Sequence, residues 1–154
     1  MNLQRRVLIL CTGNSARSQM AEGLVRSFGE ERFEVFSAGT KPSTVRPEAI
    51  AVMSELGIDL SCHRSKHVQE FDGQHFDYVI TVCDVANESC PVLPGDTERI
   101  HWSLPDPAAV EGSETERLAA FRRVRDTLAE TLRDFIKRIG PPTVTQDTSG
   151  CGRL

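Results

Sequence analysis

No run of 18 apolar residues occurs anywhere in the 154-residue chain, so the sequence offers no transmembrane helix. Positive charge is not in excess either. Its 18 Lys and Arg stand against 22 Asp and Glu, a formal net charge of −4, which argues against a nucleic-acid or membrane-surface partner. Any bound anion must then be held by local dipoles and individual arginines. The opening Met-Asn-Leu-Gln-Arg-Arg feeds straight into an apolar run and leaves no room for a signal peptide, so a cytoplasmic, reducing setting is expected. The five cysteines are an odd number and are not placed like a secreted disulfide scaffold, which points to catalysis or redox chemistry. There is no internal repeat and no domain boundary. One domain is expected over residues 1–140, with a disordered tail at 141–154, and no metal site is expected.

What is present is concentrated in residues 7–19. Val7 to Leu10 form an apolar run that leads into Cys11, and Arg17 and Ser18 follow a short loop. The pattern predicts a buried strand, a tight loop and a helix start, with the thiol at the strand's carboxyl end. Such a loop turns successive backbone N–H groups into one concavity, a ready anion site. The loop residues Thr12, Gly13, Asn14, Ser15, Ala16, Arg17 and Ser18 are the expected oxyanion cradle. Gly13 and Asn14 both tolerate positive φ and suit the sharp turn. The helix dipole and Arg17 favour a thiolate at Cys11. Arg17 can hold two oxygens of a tetrahedral anion at once, which lysine cannot.

The remaining elements follow from periodicity. Strands are expected at Arg6–Leu10, Phe33–Phe36, Tyr78–Val82 and Arg99–Trp102. Helices are expected from Ala16 to Phe28 (Met20, Leu24 and Val25 inward, Gly29 as stop) and from Pro47 (Ile50, Met53 and Leu56 inward, Gly57 as stop). One helical turn is expected at Val68–Phe71. The last helix opens on the capping box Ser113-Glu114-Thr115-Glu116, carries Phe121, Val124, Leu128, Leu132, Phe135 and Ile139, and stops at Gly140-Pro141-Pro142. Strand–helix–strand succession implies a right-handed, doubly wound parallel α/β sheet. Ligands of such sheets bind beyond the strands' carboxyl ends, where Cys11 lies.

Two further cysteines and one acid fall near that end. Cys83 closes the third strand. If the strand order is 2-1-3-4, Cys11 and Cys83 end on neighbouring strands ~4.8 Å apart, close to disulfide reach. Cys90 follows seven residues later. In a helix the two would be ~10 Å apart, so if they pair the segment must loop out. Asp106, between Pro105 and Pro107, follows the fourth strand. Alone it is equally well a turn residue; beside Cys11 and Arg17 it is favoured as the acid that protonates a departing oxygen. Neither Cys62 nor Cys151 is expected to be catalytic.

Cys11-Thr-Gly-Asn-Ser-Ala-Arg17-Ser18 resembles the phosphate loop of low-molecular-weight protein tyrosine phosphatases, with Asp106-Pro107 in the place of their general acid. Gln19-Met-Ala-Glu-Gly23, Ser37-Ala-Gly-Thr40 and the Cys83/Cys90 pair narrow the resemblance to the thioredoxin-coupled arsenate reductases of that superfamily, over residues 6 to about 139. The resemblance implies a three-layer α/β sandwich with a four-stranded parallel sheet of order 2-1-3-4, and a monomer. It implies that Cys11 attacks arsenate held by the loop and Arg17, with Asp106 as acid and Ser18 bonded to the thiolate. Cys83 then attacks Cys11, arsenite leaves, and Cys90 moves the disulfide to Cys83–Cys90, where thioredoxin reduces it. Phosphate and sulfate would compete with arsenate, and no bound cofactor is implied. Some relatives bind potassium at positions matching Asn14, Glu22 and Ser37 plus an acidic residue. Lys66 stands at the acidic position, so a Lys66–Glu22 salt bridge and no potassium dependence are expected. Ala16, where some relatives carry a cysteine, should not affect turnover. The alternatives are a tyrosine phosphatase using Cys11, Arg17 and Asp106, against which Ala108 replaces a common aromatic, and a non-catalytic oxyanion or redox sensor.

Overall fold

The computed structural model describes residues 4–29, 32–83 and 96–139. Strand β1 (Arg5–Cys11) lies inside a parallel sheet, between β2 (Phe33–Gly39) and β3 (Tyr78–Thr81). Strand β4 (Glu98–His101) pairs in parallel with β3, which gives the order β2-β1-β3-β4. Val7, Leu8, Ile9 and Leu10 are all fully buried, as expected for a parallel strand covered on both faces.

Alternation along β2 shows the two covers. Phe33 faces helix α3 (Glu114–Ile139), its ring 6.4 Å from that of Phe135. Phe36, three residues on, points to the opposite face, where Phe71 of the Val68–Phe71 3₁₀ turn and Phe76 pack 5.4 Å and 5.7 Å from it. Helix α1 (Arg17–Gly29) joins α3 on the first face, burying Met20, Leu24 and Val25. Helix α2 (Pro47–Ser54) packs against both. The result is the three-layer sandwich with the predicted strand order. No described helix is long and apolar enough to cross a membrane.

The capping box closes as written: Glu116 N donates to Ser113 Oγ (3.2 Å) and Ser113 N to Glu116 Oε1 (2.9 Å), which lowers the Glu116 pKa. Several expectations need correction. Leu56 lies beyond α2 and is 46% exposed; the helix buries Ala49, Val52 and Met53 instead. Strand β2 continues past Phe36 to Gly39, because small Ser37, Ala38 and Gly39 stay in register with Ile9, Leu10 and Cys11. Strand β1 likewise takes in Cys11, and β4 begins and ends one residue earlier than expected. Ile139 is only partly buried, while Ile136 joins the α3 stripe. The Gly140-Pro141-Pro142 stop, the 141–154 tail and Cys151 lie outside the described residues.

Candidate active site

Strand β1 delivers Cys11 to the carboxyl edge of the sheet, 2% exposed. The loop then folds back over its sulfur. Asn14 N–H donates to Cys11 Sγ at 3.1 Å, and Ser18 Oγ lies 2.9 Å from it. Asn14 makes the turn with φ of 49°. Gly13 does not adopt positive φ, contrary to expectation. The more demanding glycine is Gly39. A Cβ there would collide with the Thr12 carbonyl and stand 2.9 Å from Asn14 N. Its small size lets the segment after β2 wall the loop through Lys41 N to Thr12 O (2.9 Å), Ser43 N to Gly13 O (3.0 Å) and Arg46 N to Ser15 O (2.8 Å).

Hydrogen-bond direction through Asn14 is fixed from outside the loop. Its Oδ1 accepts from Lys66 N–H (3.0 Å), so Nδ2 donates to Ser18 Oγ (2.8 Å) and Ser37 Oγ (3.0 Å). Ser18 Oγ is thus already an acceptor, and its own hydrogen is free for the Cys11 sulfur. Ser37 passes its hydrogen to Glu22 Oε1 at 2.5 Å. Buried Glu22 anchors the far end of this chain.

The expected Lys66–Glu22 salt bridge does not form. Arg26 Nη2 binds Glu22 Oε2 at 2.7 Å, because it follows Glu22 by one helical turn on α1. Lys66 Nζ donates to the Arg64 carbonyl (3.1 Å), and burial, partly offset by Glu22, lowers its pKa.

A second brace, not anticipated from the sequence, runs through Gln19 and His63. Gln19 Nε2 donates to the carbonyls of Asn14 and Arg64, both at 3.0 Å, which leaves Oε1 to accept from His63 Nδ1 at 2.9 Å. His63 Nε2 then faces Arg26 Nη1 at 3.3 Å and must accept, so the ring is neutral. Burial lowers the His63 pKa from 6.5, and Arg26 and Lys66 add to this against Glu22. A base with a lowered folded-state pKa leaves the unfolded chain binding more protons just below pH 6.5. Stability is therefore full above that pH and falls as pH drops through the window beneath it. We expect the urea midpoint to fall between pH 7.5 and 5.5, and this fall to shrink in His63→Gln. An equal fall in the variant would contradict the assignment.

Arg17 opens α1. Its Nη1 donates to the Leu104 carbonyl (3.0 Å), and Nη2 stands 3.9 Å from Asp106 Oδ2. Asp106 caps the Pro107–Ala109 turn, Oδ1 accepting from Ala108 N–H at 3.0 Å. Strand β3 ends at Thr81, short of the expected Val82, so Cys83 lies two residues beyond it, beside the loop, its sulfur 3.2 Å from Thr12 Oγ1. The structure thus gathers Thr12 to Ser18, Cys11, Cys83 and Asp106 at one edge. Cys11 and Cys83 are both free and buried; Cys62 is free and exposed. Cys90 lies outside the described residues. Among the described residues, no three His, Cys, Asp or Glu side chains group as metal ligands.

A buried thiol under a tight loop thus shares one edge of the sheet with a guanidinium, Arg17, and a carboxylate, Asp106. The model of the low molecular weight phosphotyrosine protein phosphatase family matches residues 6–143. The chain belongs to that family. Within it, the chain groups with the arsenate reductases. It is 42% identical to an arsenate reductase of Halalkalibacterium halodurans over 129 residues, 84% of this chain and 93% of the relative. It is similar to a solved arsenate reductase in the phosphate binding state, with a TM-score of 0.72 and 34% identity over 89% of this chain and all of the other. It is also similar to a thioredoxin-dependent arsenate reductase of Corynebacterium glutamicum, with a TM-score of 0.63 and 25% identity over 85% of this chain and 61% of that one.

Proposed function

We propose that the protein reduces arsenate to arsenite in a reducing cytoplasm. Cys11 attacks arsenic held by the loop amides and Arg17, and Asp106 protonates the oxygen that leaves. Cys83 attacks the Cys11 sulfur; the S–As electron pair passes to arsenic, which departs as arsenite, and a Cys11–Cys83 disulfide remains. Cys90 attacks Cys83 next, freeing Cys11, and thioredoxin reduces the Cys83–Cys90 bond. The chain works as a monomer.

The observation that supports this reading over phosphate-ester hydrolysis is the second free thiol, Cys83, hydrogen-bonded to the loop itself through Thr12. Thr12 Oγ1–H can donate to a Cys83 thiolate and so favour the attacking form. Ser18 does the same for Cys11. The test is arsenate-dependent NADPH oxidation with thioredoxin and its reductase. Activity should require Cys11, Cys83 and Cys90. A catalyst that needs Cys11 alone is a phosphatase. Full activity of Cys90→Ser with glutathione or mycothiol moves the reductant away from thioredoxin.

No potassium requirement is proposed, for a reason that differs from the sequence expectation. Arg26, rather than Lys66, supplies the positive charge at Glu22 beneath Asn14 and Ser37. Exchanging NaCl for KCl at constant ionic strength should change turnover by less than about twofold. A severalfold rise in potassium alone would contradict this.

A further inference from the structure

The acid-bearing loop, residues 103–112, hangs between two guanidinium groups. At its start the Leu104 carbonyl accepts from Arg17. At its end the Gly112 carbonyl accepts from Arg117 Nη1 at 2.8 Å. Gly112 has a φ of 133°, which L side chains rarely adopt, so the turn into α3 calls for glycine. Between these ends the buried Pro107 and its turn pack on α3, and Leu104 and Ala108 lie against the core. Beside that contact lies an open pocket of about 310 Å³, lined by Leu104, Pro107 and Val110 of the loop and Ala120 and Val124 of α3. The Pro107–Ala109 turn seats the residues just after Asp106, and the two end anchors fix the loop on either side of that contact.

Arg117 is itself held from outside α3. Its Nε donates to Glu48 Oε2 at 3.5 Å, and the other Glu48 oxygen lies 3.7 Å from Arg46 Nε. Glu48 is mostly buried, its side chain 15% exposed between the two cations. Arg46 N–H in turn donates to the Ser15 carbonyl, within the oxyanion loop. A continuous path thus runs from the cradle through the first turn of α2 to the far end of the acid loop.

We propose that Arg117, seated by Glu48, is a positioning residue for Asp106: it fixes the Gly112 carbonyl and so holds the acid at a set height over the oxyanion cradle. The inference rests on the assignment of Asp106 as general acid. Arg117 touches neither Cys11 nor the cradle, so oxyanion binding should not depend on it. Losing it should not detach the helices either, because Glu55 still joins α2's end to Arg122 (2.8 Å) and Arg125 (2.8 Å) on α3.

The test is single-turnover arsenite release from the fully reduced protein, which needs no external reductant. Arg117→Met keeps the apolar stem and removes the fork. It should slow release about tenfold at saturating arsenate and shift the half-saturating concentration by less than about twofold. Arg117→Lys, with a single donor in reach of the Gly112 carbonyl, should recover most of the rate. On an Asp106→Asn background, Arg117→Met should cause less than about a twofold further loss, because the group it positions is already gone. A normal rate in Arg117→Met beside a slow Asp106→Asn overturns the clamp alone. An equal further loss on the Asp106→Asn background also overturns it, since Arg117 would then act on something else. A normal rate in Asp106→Asn overturns the acid assignment, and the clamp with it.

Discussion

Cys83→Ser should lower arsenite formation by at least about a thousandfold while leaving cleavage of a phosphate monoester within about threefold of wild type. The two halves of this result come from different chemistry at one cradle. Arsenate and phosphate have the same shape and charge, so the loop amides and Arg17 can barely separate them. In the proposed mechanism Cys11 forms an adduct with either. Only the arsenic adduct gains from a second thiol, because arsenic can accept the electron pair of the S–As bond when Cys83 takes the sulfur. Serine at 83 keeps the hydrogen bond to Thr12 Oγ1 and little else changes. A hydroxyl cannot form a disulfide, so the adduct can only await water. Arsenite formation should be measured directly, with ester hydrolysis followed on the same preparation. Arsenite release near the wild-type rate would remove Cys83 from the mechanism.

Arg17→Lys should cost about 10²- to 10³-fold in kcat/KM for arsenate, the range seen when one preorganised oxyanion donor is lost. Lysine keeps the charge but not the fork. The structure adds a second cost. One arm of Arg17 holds the Leu104 carbonyl, so the start of the acid loop is released as the cradle loses its bidentate donor. Both KM and kcat should therefore worsen, whereas Arg117→Met should touch kcat alone. Steady-state kinetics on the two variants separate the patterns. An Arg17→Lys enzyme within threefold of wild type would show that point charge suffices.

The strand-loop-helix at residues 7–19 was legible because its chemistry is contiguous: apolar run, thiol, turn and arginine fall in one window. Asp106 was legible only beside Cys11 and Arg17, since Pro-Asp-Pro alone reads equally well as a turn, and Cys83 from the strand order that sets β3 beside β1. What stayed hidden depends on distant partners. His63 lies 44 residues from Gln19, and no local pattern joins them. Lys66 was misplaced for a different reason. A familiar arrangement pointed to Glu22, while Arg26 stood one helical turn from that glutamate and had the shorter reach. The Glu48–Arg117 contact crosses 69 positions and two helices. The importance of Gly39 likewise appears only where β2 passes the loop backbone at Thr12.

The most direct measurement of the central claim uses reduced protein, stoichiometric arsenate and no external reductant. The products to count are arsenite and remaining thiols, with the bonded pair mapped by mass spectrometry. One arsenite per chain and the loss of two thiols are expected in the wild type. In Cys90→Ser the remaining bond should join Cys11 to Cys83, because the disulfide cannot move on. Arsenite without a Cys11–Cys83 bond in that variant, or no arsenite from the wild type under these conditions, would contradict it.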